Sequence, residues 1–137
     1  MPRILAIDYG SKRCGLAHTD PLKVIATPLH ACATNELFPF LHHYLSQQNV
    51  EKIILGYPKT LQNTDTDATQ AVRQLEKSLQ KRYPNIPILL WDERFTSKMA
   101  HQTMLAAGLK KSDRRDKLLV DRTAAVILLQ SYLNTQL

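Results

Sequence analysis

Three strand-like runs occupy residues 3–8, 13–18 and 23–29, and the turns between them are too short to carry the chain across a sheet. Tyr9-Gly10-Ser11-Lys12 forms the first turn and Thr19-Asp20-Pro21 the second. A parallel connection takes roughly a dozen residues or more, so these strands must pair antiparallel. The pattern then changes. Leu37, Phe38, Leu41, Tyr44 and Leu45 repeat at helical spacing over 36–48, with Pro39 tolerable only in the first turn. Lys52-Ile53-Ile54-Leu55-Gly56 reads as a short buried strand. Ala68, Ala71, Val72, Leu75 and Leu79 mark a second helix that Tyr83-Pro84 ends, and Ile86 to Trp91 reads as a fifth strand. Thr96 or Ser97 can cap a further helix that Gly108 stops, and a last helix covers 118–134. This order predicts an α/β fold with a five-stranded mixed sheet, three strands antiparallel and two parallel, flanked by helices. No linker divides the chain, so 1–137 is expected to form a single domain.

The hydrophobic content of 44% is that of a globular protein, and no apolar run approaches the roughly 20 residues of a membrane span. Met1-Pro2-Arg3-Ile4 leads straight into a strand rather than a secretory leader, which makes the cytoplasm the expected location, with no membrane partner. Cys14 and Cys32 lack metal-site spacing and are expected to be reduced, partly buried thiols. The net charge of +6 favours a polyanionic partner. Its placement narrows that to nucleic acid: Lys110, Lys111, Arg114, Arg115 and Lys117 crowd the segment before the last helix. Lys12, Arg13 and Arg94 stand within a few residues of acidic positions.

Those acidic positions are the chemical signal. Asp8 closes an apolar strand, Asp92-Glu93 closes another, and Asp121 lies inside the apolar run Leu118 to Leu129. A buried carboxylate without a partner is costly, so acids in such places usually have a cation or a chemical task. In open α/β sheets, ligands gather at the carboxyl ends of parallel strands, where Asp8 and the Asp92-Glu93 pair fall. In the last helix Leu118, Asp121, Ala124, Ala125, Leu128 and Tyr132 share one stripe, and the two alanines permit close approach to the sheet. Three carboxylates from distant segments suit one hard-metal site, Mg²⁺ or Mn²⁺, and metal-assisted phosphodiester hydrolysis. The bland alternatives are a turn-initiating aspartate before Gly10, a solvated acid at a strand end, and an ion pair for Asp121. Strand alternation separates Glu93 from Asp92 without choosing between them. His18, His30, His42, His43 and His101 fall into no triad or metal spacing.

The segments Ile7-Asp8-Tyr9-Gly10-Ser11-Lys12-Arg13-Cys14-Gly15-Leu16-Ala17, Leu55-Gly56-Tyr57-Pro58-Lys59, Asp92-Glu93-Arg94-Phe95-Thr96-Ser97 and Val120-Asp121-Arg122-Thr123-Ala124-Ala125 together resemble the YqgF/RuvX family. That family comprises Holliday junction resolvases also described as nucleases of the small-subunit ribosomal RNA precursor. The resemblance spans nearly the whole chain, in order and spacing. It implies a ribonuclease-H-like fold and an acidic site made of Asp8, Glu93 and Asp121, which selects Glu93 over Asp92. It also implies phosphate-facing roles for Lys12, Arg13 and Arg94, and a partner that is either ribosomal RNA precursor, hence the ribosome, or branched DNA. A monomer or a homodimer is compatible with it. Cys14, His18-Thr19-Asp20 and Gln62-Asn63 depart from the family's usual residues and leave the acidic positions intact. Two rival classes remain: an actin-like nucleotide binder, for which one domain is too little, and a non-catalytic ribosome-assembly factor.

Overall fold

The computed structural model describes residues 2–10, 12–23, 25–57, 67–92 and 117–135, without the side chains of 67, 68, 92 and 117–122. Five strands, β1 (Arg3–Tyr9), β2 (Arg13–Thr19), β3 (Ala26–Ala33), β4 (Val50–Tyr57) and β5 (Ile88–Asp92), form one sheet in the order β3-β2-β1-β4-β5. β1 pairs antiparallel with β2 and parallel with β4, while β2 and β3 pair antiparallel and β4 and β5 parallel. The helices are α1 (Leu37–Gln47), α2 (Asp67–Arg82) and α3 (Lys117–Asn134), with a single 3-10 turn, Thr34–Glu36, before α1. The expected helix between residues 96 and 108 lies outside the described residues.

The sheet has a core on each face. Leu5, Ile7, Leu16, Ile53 and Leu55 meet Leu37, Leu41 and Tyr44 of α1 and Val72, Leu75 and Leu79 of α2. Ile4, Ala6, Ala17, Ala26 and Ile54 meet Ala125, Leu128, Leu129, Tyr132 and Leu133 of α3. Burial on both sides explains why β1 and β4 read as continuous apolar runs rather than alternating ones. Pro39 falls in the first turn of α1, where its missing N–H costs nothing. Cys14 and Cys32 are cross-strand neighbours with free thiols, Sγ to Sγ 3.7 Å, and both are buried in the core rather than partly buried.

Two boundaries differ from the sequence expectation. β3 starts at Ala26 and continues to Ala33, not 23–29. Asp20 holds the preceding residues in a turn: its Oδ1 accepts from Ile25 N at 2.9 Å, its backbone N–H donates to Ile25 O at 3.1 Å, and Lys23 takes a positive φ of 59°. Apolar Leu22 and Ile25 consequently stand exposed on a loop. β5 starts at Ile88 instead of Ile86, because Ile86 N donates back to Tyr83 O at 3.1 Å and closes a turn. β3 also carries a bulge. Leu16 pairs with His30 and Ala17 with Pro28, leaving Leu29 as an extra residue. Pro28 is acceptable because β3 is an edge strand.

One ionisable pair is built into the core under α1. His18 Nδ1 and the Tyr44 hydroxyl share a 2.8 Å hydrogen bond. Burial and the nearby Arg3 hold His18 below the usual histidine range, and burial pushes Tyr44 up to about 12. In acid the unfolded chain therefore takes up a proton that folded His18 resists. Stability from this site is intact above the ordinary histidine value of 6.5 and falls as pH drops below it. Thermal melts of the wild type should lose stability between pH 7 and 5 more steeply than those of His18→Gln.

Candidate active site at the carboxyl ends of the strands

Asp8 stands near the end of the central strand. On β1, Leu5 and Ile7 point to the α1 and α2 face, whereas Ile4 and Ala6 point to α3. Asp8 has the parity of Ile4 and Ala6, which places it on the α3 face, half-buried. Its β2 partner is Gly15. On β4 the register runs Ile7 with Leu55, so the next position beside Asp8 is Gly56. The positions directly beside Asp8 on both flanking strands are thus glycines. Trp91 pairs with Gly56 on the far side, and its ring meets Tyr132 of α3 edge-on at 5.4 Å.

The turn after Asp8 is held from two directions. Gly10 N donates to Arg13 O at 2.9 Å, and a Cβ on Gly10 would lie 2.6 Å from that oxygen, so only glycine fits. Thr34, just beyond β3, donates its hydroxyl to Gly10 O at 2.7 Å and its N–H to Lys12 O at 2.9 Å. Lys12, exposed, and Arg13, half-buried, are thereby held at the same end of the sheet as Asp8.

Asp121 lies in the N-terminal part of α3, and its side chain is outside the description. Its place on the helix is informative. Ala124, Ala125, Leu128 and Tyr132 of the expected stripe are buried against the sheet. The other end of α3 is tied to strand starts: Ala26 N donates to Gln130 Oε1 at 3.1 Å, and Lys52 Nζ to the Tyr132 hydroxyl at 2.8 Å. From Gln130 the helix rises about 13 Å back to Asp121, away from the end where β1 and β4 begin.

Glu93, Arg94, Lys110, Lys111, Arg114 and Arg115 lie outside the described residues, as do Pro58 to Asn63. Among the described residues, no three His, Cys, Asp or Glu side chains gather. Of the expected site residues, the structure brings Asp8, Lys12 and Arg13 together. Sequence reasoning missed Thr34, whose contact with the turn is long-range and has no local signature. It also missed Arg73 of α2, whose Nε donates at 2.9 Å to the hydroxyl of Tyr57 at the end of β4. The aromatic residue closing β4 was the only available hint.

The sheet order and the helix positions define a ribonuclease-H-like fold, and two solved structures share it. A fowlpox virus resolvase, determined with Holliday junction DNA, superposes with a TM-score of 0.64 at 12% identity, covering 98% of this chain and 99% of that one. RuvC of T. thermophilus, also with a Holliday junction substrate, gives 0.56 at 15% identity, covering 99% and 96%. At these identities the likeness speaks for the fold. The chain belongs to the RuvX family, whose model, described as Holliday junction resolvase, matches residues 2–135. A relative from Bacteroides fragilis, provisionally named a pre-16S rRNA nuclease, is 48% identical over 136 residues, 99% of each chain. No helix among the described residues is long and apolar enough to cross a membrane.

Proposed function

We propose that this protein is a divalent-metal-dependent nuclease that hydrolyses phosphodiester bonds in structured RNA, acting on the precursor of small-subunit ribosomal RNA. The observation that carries the reading is the setting of Asp8. It is an acid on the central strand, with Gly15 and Gly56 directly beside it, on the face of the sheet that α3 covers. Of the Asp92-Glu93 pair, the family resemblance selects Glu93 for the same site.

Asp8, Glu93 and Asp121 would hold the metal. Their donors are all carboxylate oxygens, which fits Mg²⁺ or Mn²⁺ and disfavours softer ions. When bound, the metal supplies Lewis-acid stabilisation of charge on the phosphoryl oxygens and lowers the pKa of an attacking water. The chain's own contribution is orientation. Lys12 and Arg13 hold the backbone beside Asp8, fixed by the Gly10 turn and Thr34, while Arg94, Lys110, Lys111, Arg114 and Arg115 extend the cationic surface. Arg13 and Arg94 can grip a phosphate in two places, whereas the lysines act as point charges.

RNA is preferred because the full-length relative at 48% identity carries an RNA-directed name. Junction resolution is the second reading, favoured by the family description. It requires two copies to nick two strands symmetrically, whereas RNA trimming can proceed in a monomer.

The test is cleavage of a labelled ribosomal RNA precursor fragment beside a labelled four-way DNA junction, in Mg²⁺, Mn²⁺ or EDTA. Metal-dependent cutting of the RNA with the junction intact is expected, and EDTA should abolish it. Cutting confined to the junction would establish the second reading. Tight binding with no cutting in either metal would leave a ribosome-assembly factor.

A further inference from the structure

Helix α2 carries a cationic line that plays no part in the acidic site. Arg73, Lys77 and Lys81 recur at every fourth residue and are all exposed, so they share one face and follow each other at about 6 Å along the axis. Gln70, Gln74 and Ser78 fill the positions around them with neutral polar groups. Beyond its first residue the helix has one acid, Glu76, which is half-buried. Lys23, on another part of the surface, pairs with Glu51 at 2.9 Å, whereas Lys77 and Lys81 show no carboxylate partner among the described residues. Neighbouring α1 exposes His42 and His43, and the acid at its start is Glu36. An ordinary solvated helix face intersperses charges of both signs. This one carries a single sign over about two turns.

The line is also fixed in place. Arg73 donates to the Tyr57 hydroxyl and lies 5.5 Å from the centre of that ring. Tyr57 ends β4, the strand next to β1, so the first charge stands at the sheet end that carries Asp8, Lys12 and Arg13. At the other end Arg82 sits 4.2 Å over the Phe38 ring of α1. The line therefore begins at the sheet end that carries the candidate site, on the face opposite α3.

We infer that the Arg73-Lys77-Lys81 line binds the phosphate backbone of an RNA duplex whose neighbouring segment enters the acidic site. This rests on the nuclease reading and adds a second contact region to it. Evenly spaced point charges match a strand of evenly spaced phosphates and read no bases, so the contact is expected to be independent of sequence.

Binding of the full chain to a labelled RNA hairpin with a long stem, measured by anisotropy across a KCl series, tests this. Wild type and Lys77→Gln/Lys81→Gln would each carry Asp8→Asn so that the RNA stays whole. The double variant should bind about tenfold more weakly at low salt, with a plot of log affinity against log salt shallower by about 1.5. With Asp8 restored, its cleavage rate at saturating RNA should equal that of the wild type. An unchanged salt slope overturns the inference. A larger loss on a DNA duplex of the same sequence overturns the assignment to RNA. If the protein with Asp8 intact cuts no RNA in either metal while the slope falls as expected, the nuclease reading fails and the backbone contact stands.

Discussion

Asp8→Asn is expected to lower the cleavage rate about 10³-fold while changing affinity for the RNA less than threefold. Asparagine keeps the size of the side chain and one of its oxygens but removes the negative charge a divalent cation requires. The cationic groups proposed to hold the backbone are untouched, so binding should persist. Stability gives an internal control. If the site gathers three carboxylates, removing one charge relieves repulsion, and the melting temperature should stay level or rise, as is common where function and stability conflict. Single-turnover cleavage, anisotropy and a thermal melt on one preparation check all three. A variant that cuts at the wild-type rate would remove Asp8 from the chemistry. A variant that melts much earlier would show that its loss of activity is structural.

The second large effect is on stability. Leu128 is fully buried between α3 and the sheet, in the cluster with Ile4, Ala6 and Ile54. Leu128→Ala should cost about 3 kcal/mol, from lost transfer energy and the cavity left behind. For a chain of this length that corresponds to a melting temperature lower by about 10 °C. The core under α1 and α2 is separate from this one, so the loss is not offset by repacking across the sheet. The same leucine lies about two turns after Asp121 in α3, so weaker seating of the helix should also loosen the proposed acidic site. Cleavage should accordingly show a higher metal requirement in Leu128→Ala than in the wild type at a temperature where both are folded. Chemical denaturation and a Mg²⁺ titration of cleavage measure the two effects.

Much of this architecture was legible from spacing. The antiparallel hairpins followed from turns too short for a crossover, and the sheet-facing stripe of α3 from helical periodicity. The start of β3 was not legible, because a carboxylate at Asp20 captured the backbone of an apolar residue, Ile25, that looked like strand. The face on which Asp8 stands was hidden for a different reason. β1 is buried on both sides, so its residues carry no alternation from which to read orientation. Once the clusters under α1 and α3 separate Leu5 from Ile4, the face follows. The glycines beside Asp8 could not be read either, since Gly15 and Gly56 come from strands whose register no local pattern fixes. Thr34 and Arg73 act through contacts with residues far along the chain, and sequence spacing contains no record of them.

The extra residue in β3 has a consequence for how this protein can change. Leu29 sets the phase between the far end of the hairpin and Thr34, which holds the turn beside Asp8. The count matters most between His30 and Thr34, where β3 pairs residue by residue with β2: one residue more or fewer there would carry the threonine off its two carbonyl partners. Length variation in that stretch of the edge strand is therefore costly despite its exposure, whereas the Asp20–Ile25 turn beyond it can lengthen freely. Edge and centre of the sheet share one measure of distance, and the chain must keep that count to keep its turn.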